Sequence, residues 1–473
     1  MTLWTSDEAV AATGGTTATP WEATGVSIDT RTLEPGDMFV ALKDVRDGHD
    51  FVAQALANGA ACALVSRIPD GVPADAPLLV VDDVLTGLEA LGRAARARTD
   101  AKIIGVTGSV GKTSTKEMLR TALTGQGKIH AAEKSYNNHW GVPLTLARMP
   151  KDTGFAVIEI GMNHPGEIAP LAKLARPHVA LITIVAPAHL EAFASVEDIA
   201  REKAAIFDGL EDGGIAIINA DLDTTPILRD LAPAACQTFG TTEGADWQLL
   251  DAVTSASATS CRARHAGEAI LFKLGAPGRH FAMNGLACLA AAQAAGADLG
   301  RAAVALSDWT PPSGRGQRRF IHLDAQMPEQ GIDLFDDAYN ANPASVGAAL
   351  DVLAAATPPD PAGRKVAILG DMKELGPTEI ALHAGFARHP AMDEITQVHC
   401  VGPLMKHLYD ALPSSKQGLW AATSTELADS PLALVRAGDV LMIKGSLSMK
   451  MAQIVDAVAK LGQSVADNQE GHR

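Results

Sequence analysis

Residues 106–115 read VTGSVGKTST, between an apolar run and a helix-forming run. Gly108, Ser109, Val110 and Gly111, entered through Thr107, let consecutive backbone N–H groups turn toward an anion. A helix N-terminus behind them adds a favourable field. Lys112 can reach the β- and γ-oxygens of a triphosphate, and the Thr113 hydroxyl is placed to hold Mg²⁺. The spacing departs from the common phosphate loop, because the position where its first glycine belongs holds Val106. The competing reading is a Gly-rich turn with an incidental Lys-Thr. Strand, loop, lysine, threonine and helix in that order favour the phosphate site, but the loop alone names no reaction.

Glu159, in VIEIGMN, closes an otherwise apolar strand, where a charge is costly unless paired or bound to a cation. His189, in APAHLEAF, lies just past the apolar run from Val179 to Val185. Either residue alone would read as structural. In an open parallel sheet, however, ligands bind beyond the carboxyl ends of the strands. Loop, Glu159 and His189 all occupy such ends, so convergence on one metal–phosphate site is expected. Lys203, on a predicted helix after His189, reads on physical grounds as a solvated lysine.

Three zones must position these groups. Residues 1–99 contain GVSIDTRTLEPGDMFVAL and HDFVAQALANGAACALVS, short strands and an Ala-rich helix of a small α/β unit. Residues 100–311 alternate strands (Ile103–Val106, Val157–Ile160, Val179–Val185) with helices (from Thr113, near Glu167–Ala175, Val196–Leu210). Such alternation implies a mostly parallel sheet, and continuous apolar strands imply that both its faces are covered. TPPSGRGQRR (Thr310–Arg319) reads as a linker. Residues 312–473 offer strands at Ile332–Phe335, Val366–Leu369, Val398–Val401 and Val440–Ile443, a second doubly wound unit. The polar tail is expected to fray.

Bulk properties narrow the function class. A chain of 473 residues calls for two or three domains. A net charge of −16 argues against a general nucleic-acid binder, while leaving small anions available to loops and helix termini. The N-terminus shows neither a basic region nor an apolar core of a secretory signal, and no apolar run approaches the ~20 residues a membrane helix needs. Cys62, Cys236, Cys261, Cys288 and Cys400 are scattered without ligand spacing. A reduced, cytoplasmic setting without membrane insertion is expected.

The motifs TGSVGKTS, NNHWGVPLTL (Asn137–Leu146), IEIGMNHPGEI and AHLEAF with Lys203 downstream resemble the ATP-dependent Mur ligases, which build the peptide stem of peptidoglycan. The phosphate loop of that family, TGxxGKT, also lacks the first glycine. DDAYNANPAS (Asp336–Ser345), ILGDMKELG (Ile368–Gly376), MIKGS (Met442–Ser446) and the N-terminal SIDTRTLEPGDMFVALKDVRDGHDF narrow the resemblance within the family. They are similar to the member that joins D-alanyl-D-alanine to UDP-MurNAc-tripeptide through an acyl phosphate. The Asp-Asn-Pro-Arg motif of the relative that adds a diamino acid is missing. That relative, a P-loop ATPase and a regulatory sugar-nucleotide binder stand as alternatives.

The resemblance implies an α/β chain of three domains: a small N-terminal UDP-binding domain, a central P-loop domain and a C-terminal Rossmann-like domain. It implies ATP, two Mg²⁺ ions and a CO₂-derived carbamate on Lys203, in a monomer. Thr107 to Thr113 match the phosphate loop, with Lys112 as its catalytic lysine. Thr113, Glu159, His189 and carbamylated Lys203 match the metal ligands. Asn284 matches a residue near adenine, and Arg315 an arginine that reaches the γ-phosphate from the hinge. Asp336 or Asp337, with Tyr339 and Asn340, matches the nucleoside-contacting segment. Lys444 and Ser446 match a closing motif, although Leu447 stands where the family often has Arg. Asp29, Arg31 and His49, with Asn137 or Asn138, match the UDP-substrate contacts. Asp29 and Arg31 also read as a local turn and salt bridge, and Asn342–Pro343 as a helix cap.

Overall fold

The computed structural model describes residues 1–324, 327 and 330–470, excepting the side chains of 463–470. Three large sheets organise the chain, beside a two-stranded pairing of Trp4–Thr5 with Glu22–Ala23. A four-stranded parallel sheet runs Gly25–Ser27, Asp37–Val40, Cys62–Val65, Leu78–Val80 in spatial order. It follows the helix Ser6–Thr13, whose start is closed by a capping box between Thr5 and Glu8.

The central sheet has nine strands. From one edge these are Glu268–Leu274, Thr259–His265, Trp247–Thr254, Cys236–Gly240, Ile215–Asn219, Val179–Ile182, Lys102–Thr107, Phe155–Glu159 and Ile129–Ala131. Pairing is parallel throughout, except in the closing hairpins of 247–274. Those hairpins were not expected from the sequence. Their alternating exposed and buried residues lack the continuous apolar run that marks the other strands.

Side chains alternate between two cores. Ile104, Val106, Val157, Val179 and Leu181 join one, with Met118 and Leu119 of the helix Lys112–Ala122. Ile103, Ala156, Ile158, Ala180 and Ile182 join the other. This period of two explains the uninterrupted apolar runs. It also puts Glu159 on the face of Val157, the face that the helix after the phosphate loop covers. Register does the rest: Val106 pairs with Glu159 and Thr107 with Ile182, so three chains leave the sheet at one level.

The C-terminal sheet runs Gln317–His322, Gly331–Asp337, Val440–Lys444, Lys365–Gly370, Gln397–Val401, Gln417–Ala421. All pairs are parallel except the first, a Rossmann-like arrangement with an antiparallel edge. The expected linker is therefore shorter than its composition suggested. Its prolines and glycines end at Gly316, and Arg318 is already paired with Asp333 across the edge strand. Among the described residues, no helix is long and apolar enough to cross a membrane, and the five cysteines are free.

Candidate active site

The loop from Gly108 to Gly111 is strapped to the neighbouring strand end. Ser109 N–H donates to Ile184 O at 2.7 Å, Ser109 Oγ to Ala186 O at 3.0 Å, and Thr183 Oγ1 to Val110 O at 2.6 Å. Gly108 has φ 152°, and a Cβ there would lie 1.9 Å from Thr183 Oγ1, so only glycine fits. Gly111, with φ 84°, begins the helix Lys112–Ala122 and lies against Asn284 of the helix Arg279–Ala294. The first helical N–H groups lack intrahelical acceptors and face the same opening. Lys112 Nζ donates to Gly108 O at 2.6 Å. Burial pushes its ammonium below the usual lysine range, Glu159 partly offsets this, and Arg315 adds to it.

Glu159, 2% exposed, gathers a polar cluster. Thr113 Oγ1 lies 3.1 and 2.9 Å from its two oxygens, and Asn137 Nδ2 donates at 2.8 Å. Ser135 Oγ is 2.7 Å from Thr113 Oγ1 and accepts from Arg315 Nη2 at 3.0 Å. Arg315 also stacks over Tyr339, 4.1 Å from the ring centroid. Arg315 thus crosses from the C-terminal side onto the Glu159 cluster of the central sheet. Hydroxyl and carboxylate oxygens beside a phosphate loop are hard donors, a set that suits Mg²⁺.

Lys203 contradicts the solvated-lysine reading. It is 1% exposed in the last turn of the helix Val196–Ala204, and its side chain makes no hydrogen bond or ion pair among the described residues. Burial pushes its pKa well below the usual lysine range, Lys112 lowers it further, and Glu202 opposes them. Helical periodicity of a charged stretch hid this burial, because the sequence does not say which helix face the sheet covers. His189 lies three residues past Ala186, which Ser109 holds. Its Nδ1 bonds not to the Glu159 cluster but to Glu374 Oε2 of the C-terminal domain, at 2.5 Å.

On the C-terminal side, Asp336 and Asp337 serve different ends. Asp336 accepts from Ser313 Oγ, Gly314 N–H and Ala338 N–H, so its carboxylate pins the hinge. Asp337 pairs with buried Lys444 at 2.8 Å. Burial pushes its carboxyl up, against the pull of Lys444 and Arg315. Lys444 also donates to Asn340 O at 2.8 Å, while Ser446 Oγ accepts from Lys373 N–H. Asn342 caps its helix with Pro343 in the first turn, as the sequence suggested. A cavity of about 720 Å³ opens beside this junction, lined by Arg279, His280 and Met283 on the central side and Phe335 on the other.

The N-terminal sheet carries a cavity of about 820 Å³, lined by Asp29, Arg31, Lys43, Arg46, His49 and Arg67 among others. Arg31 forms a two-point salt bridge to Asp29, whose carboxyl it holds down at about 2. The turn-and-salt-bridge reading is therefore present, on the cavity wall. Both ring nitrogens of His49 meet partners within the same domain. Its Nδ1 meets Asp47 at 2.7 Å, and its Nε2 accepts from Ser66 N–H at 3.0 Å. Asn138 likewise receives Gly141 N–H and stabilises the helix Gly141–Ala147. Asn137 points the other way, to Glu159, while His139 and Trp140 line the N-terminal cavity. One short loop thus spans both sites.

Ser135, Thr183, Lys116 and Glu374 escaped the sequence reading. Thr183 sits inside the recognised strand Val179–Val185 and Ser135 two residues before Asn137, but a lone hydroxyl has no pattern. Lys116 is fully buried, with Nζ 2.5 Å from Ala132 O, and fastens the loop that carries Ser135.

Three family models match the chain. The Mur ligase family catalytic domain covers residues 22–99, the Mur ligase middle domain 106–292, and the Mur ligase glutamate ligase domain 318–447. A UDP-N-acetylmuramoyl-tripeptide–D-alanyl-D-alanine ligase of Bacillus subtilis is 34% identical over 449 residues, covering 93% of this chain and 95% of the relative. The enzyme of the same name from Escherichia coli is 35% identical over 456 residues, covering 92% and 94%. A crystal structure of MurF from Acinetobacter baumannii superposes with a TM-score of 0.83 at 30% identity, covering 97% of this chain and 99% of that one. MurF from Thermotoga maritima in complex with ADP gives 0.76 at 27% identity, covering 93% and 98%. With near full-length matches of this order over all three sheets, the chain belongs to the Mur ligase family.

Proposed function

We propose that this chain is the ATP-dependent ligase that joins D-alanyl-D-alanine to UDP-MurNAc-tripeptide, yielding UDP-MurNAc-pentapeptide, ADP and phosphate. The observation that carries the reading is the meeting of Arg315, Ser135, Thr113 and Glu159 beside the phosphate loop. That assembly suits the transfer of a γ-phosphoryl group onto a carboxylate. The amine of D-alanyl-D-alanine then attacks the acyl phosphate. Two anions must approach, and Lys112 and Arg315 offset their charge where it accumulates. Mg²⁺ held by Thr113, Glu159 and His189 would add to that neutralisation.

Lys203 fits a further step. A buried lysine side chain without a partner among the described residues, its pKa lowered by burial and by Lys112, is biased toward the neutral amine, the form that adds CO₂. The resulting carbamate is an anionic oxygen donor, suited to a second hard cation where an ammonium would repel it. Of the cations that line the N-terminal cavity, Lys43 and Arg46 make no ion pair among the described residues and suit a UDP diphosphate, and the loop from Asn137 to Trp140 leads from there to Glu159. Docking of the C-terminal domain, hinged at the segment Asp336 pins, shields the acyl phosphate from water. ATP and UDP-linked substrates put the reaction in the cytoplasm.

A phosphate-release assay with ATP and UDP-MurNAc-tripeptide tests the reading. Release is expected with D-alanyl-D-alanine alone. Equal release with a diamino acid, with a single D-amino acid or with no amine would overturn it.

A further inference from the structure

The contact between His189 and Glu374 joins two domains through two unusual residues. His189 has φ 57° and Glu374 φ 65°, left-handed conformations that non-glycine residues adopt at a cost. The backbones are clamped together as well: Glu191 N–H donates to Glu374 O at 3.3 Å. At Gly376, φ 59°, an added Cβ would stand 3.1 Å from Leu190 O. Residues 374–376 therefore press on residues 189–191, with His189 Nδ1 2.5 Å from Glu374 Oε2.

An ionised carboxylate can only accept, so this bond requires Nδ1 to carry a proton. In the neutral imidazole, Nε2 then keeps its lone pair, and it has no hydrogen bond within the described protein. Carboxylate partners of this kind orient histidine ligands in metal sites and raise their basicity. Here the carboxylate comes from a different domain than the histidine.

We propose that Glu374 is a positioning residue: it reaches across the domain interface, fixes His189 as the Nδ1–H tautomer and aims Nε2 at a divalent cation. The cation site is then complete only when the C-terminal domain is docked, which ties closure to phosphate chemistry. The proposal rests on the reading of His189 as a cation ligand.

Nitrogen-15 NMR of histidine-labelled full-length protein, assigned with His189→Gln, tests the tautomer without any metal. Wild type should show His189 protonated on Nδ1. Glu374→Ala should shift it toward Nε2–H, and Glu374→Gln, whose amide oxygen still accepts, should keep Nδ1–H. In parallel, the Mg²⁺ concentration for half-maximal phosphate release should rise about 10–100-fold in Glu374→Ala. ATP binding in EDTA and the thermal transition should stay at wild-type values. An Nδ1–H tautomer in Glu374→Ala, or an unchanged Mg²⁺ requirement there, overturns the proposal. If His189→Ala also leaves the Mg²⁺ requirement unchanged, the ligand reading of His189 fails first, and the positioning role falls with it.

Discussion

Lys203 and Arg315 separate chemistry from packing at the scale of single residues. The Lys203 side chain is buried without a partner among the described residues, a costly state for a purely structural ammonium. Lys203→Ala is therefore expected to abolish ligation, and a short-chain carboxylate such as formate to restore part of it. Full activity in the untreated variant would refute the carbamate. Arg315 touches the Glu159 cluster through Ser135, and on the proposed reading its charge acts while phosphate is in transfer. Arg315→Ala should lower kcat about a hundredfold or more while changing ATP affinity far less. The opposite split, with weak binding and normal turnover, would assign it to ground-state binding. Neighbouring residues also divide their labour: Asn137 serves Glu159 and Asn138 a helix, Asp337 meets Lys444 and Asp336 the hinge. Residue type cannot distinguish such neighbours, because each pair is chemically identical.

Strands and loops set how tightly those residues are held. Gly108 lets the loop pass Thr183, so Gly108→Ala should reduce ATP affinity at least about tenfold, since the loop must shift. Calorimetric titration gives the affinity, and far-UV circular dichroism checks that the fold is kept. A variant that binds ATP normally would show that the loop need not hold this shape. A second case lies at the outer edge of the C-terminal sheet. There the ladder between Gln397–Val401 and Gln417–Ala421 slips at His399, and His399 Nδ1 takes up Leu419 N–H at 2.9 Å. Burial, with Arg364 nearby, pushes the His399 imidazole down to about 4. The unfolded chain, titrating near 6.5, then binds more protons between those values. Stability from the neutral ring is complete above pH ~6.5 and drains away as pH falls toward ~4, by up to about 3 kcal/mol. His399→Asn, which keeps an acceptor near the Nδ1 position, should flatten that slope in denaturant titrations from pH 7 to 5. An unchanged slope would place the acid sensitivity elsewhere.

The three domains are not joined alike. Between the N-terminal and central domains, Trp4 Nε1 donates to Ala147 O at 2.9 Å. Buried Arg96 bonds to the carbonyls of Ala175 and Arg176, and Gly92 lets its helix approach Pro143 O. Buried, directional contacts of this kind hold the two domains against each other. At the central–C-terminal junction, the polar tie Arg315–Ser135 meets the Glu159 cluster, and His189–Glu374 lies just past the strand end that straps the phosphate loop. Hydrogen exchange should therefore show added protection at residues 186–191 and 371–376 when an ATP analogue and UDP-MurNAc-tripeptide bind. Residues 84–98 and 141–148 should change little. Equal protection at both junctions would mean that the N-terminal domain moves as well.

Much of this protein is written in local patterns. Apolar runs between helices specify the parallel sheets, because side chains that alternate between two covered faces must all be apolar. The phosphate loop and its flanking motifs specify the family, because small residues, a lysine and a threonine must follow a strand in one order. What the tertiary structure decided is which polar groups share a site. Lys203 became buried only because one face of its helix packs on the sheet. Ser135 and Arg315 became neighbours across 180 residues of sequence, and His189 turned toward Glu374 across 185. Lone hydroxyls and single charges carry no periodicity. Their partners are set by sheet register and domain docking, which exist only once the chain has folded.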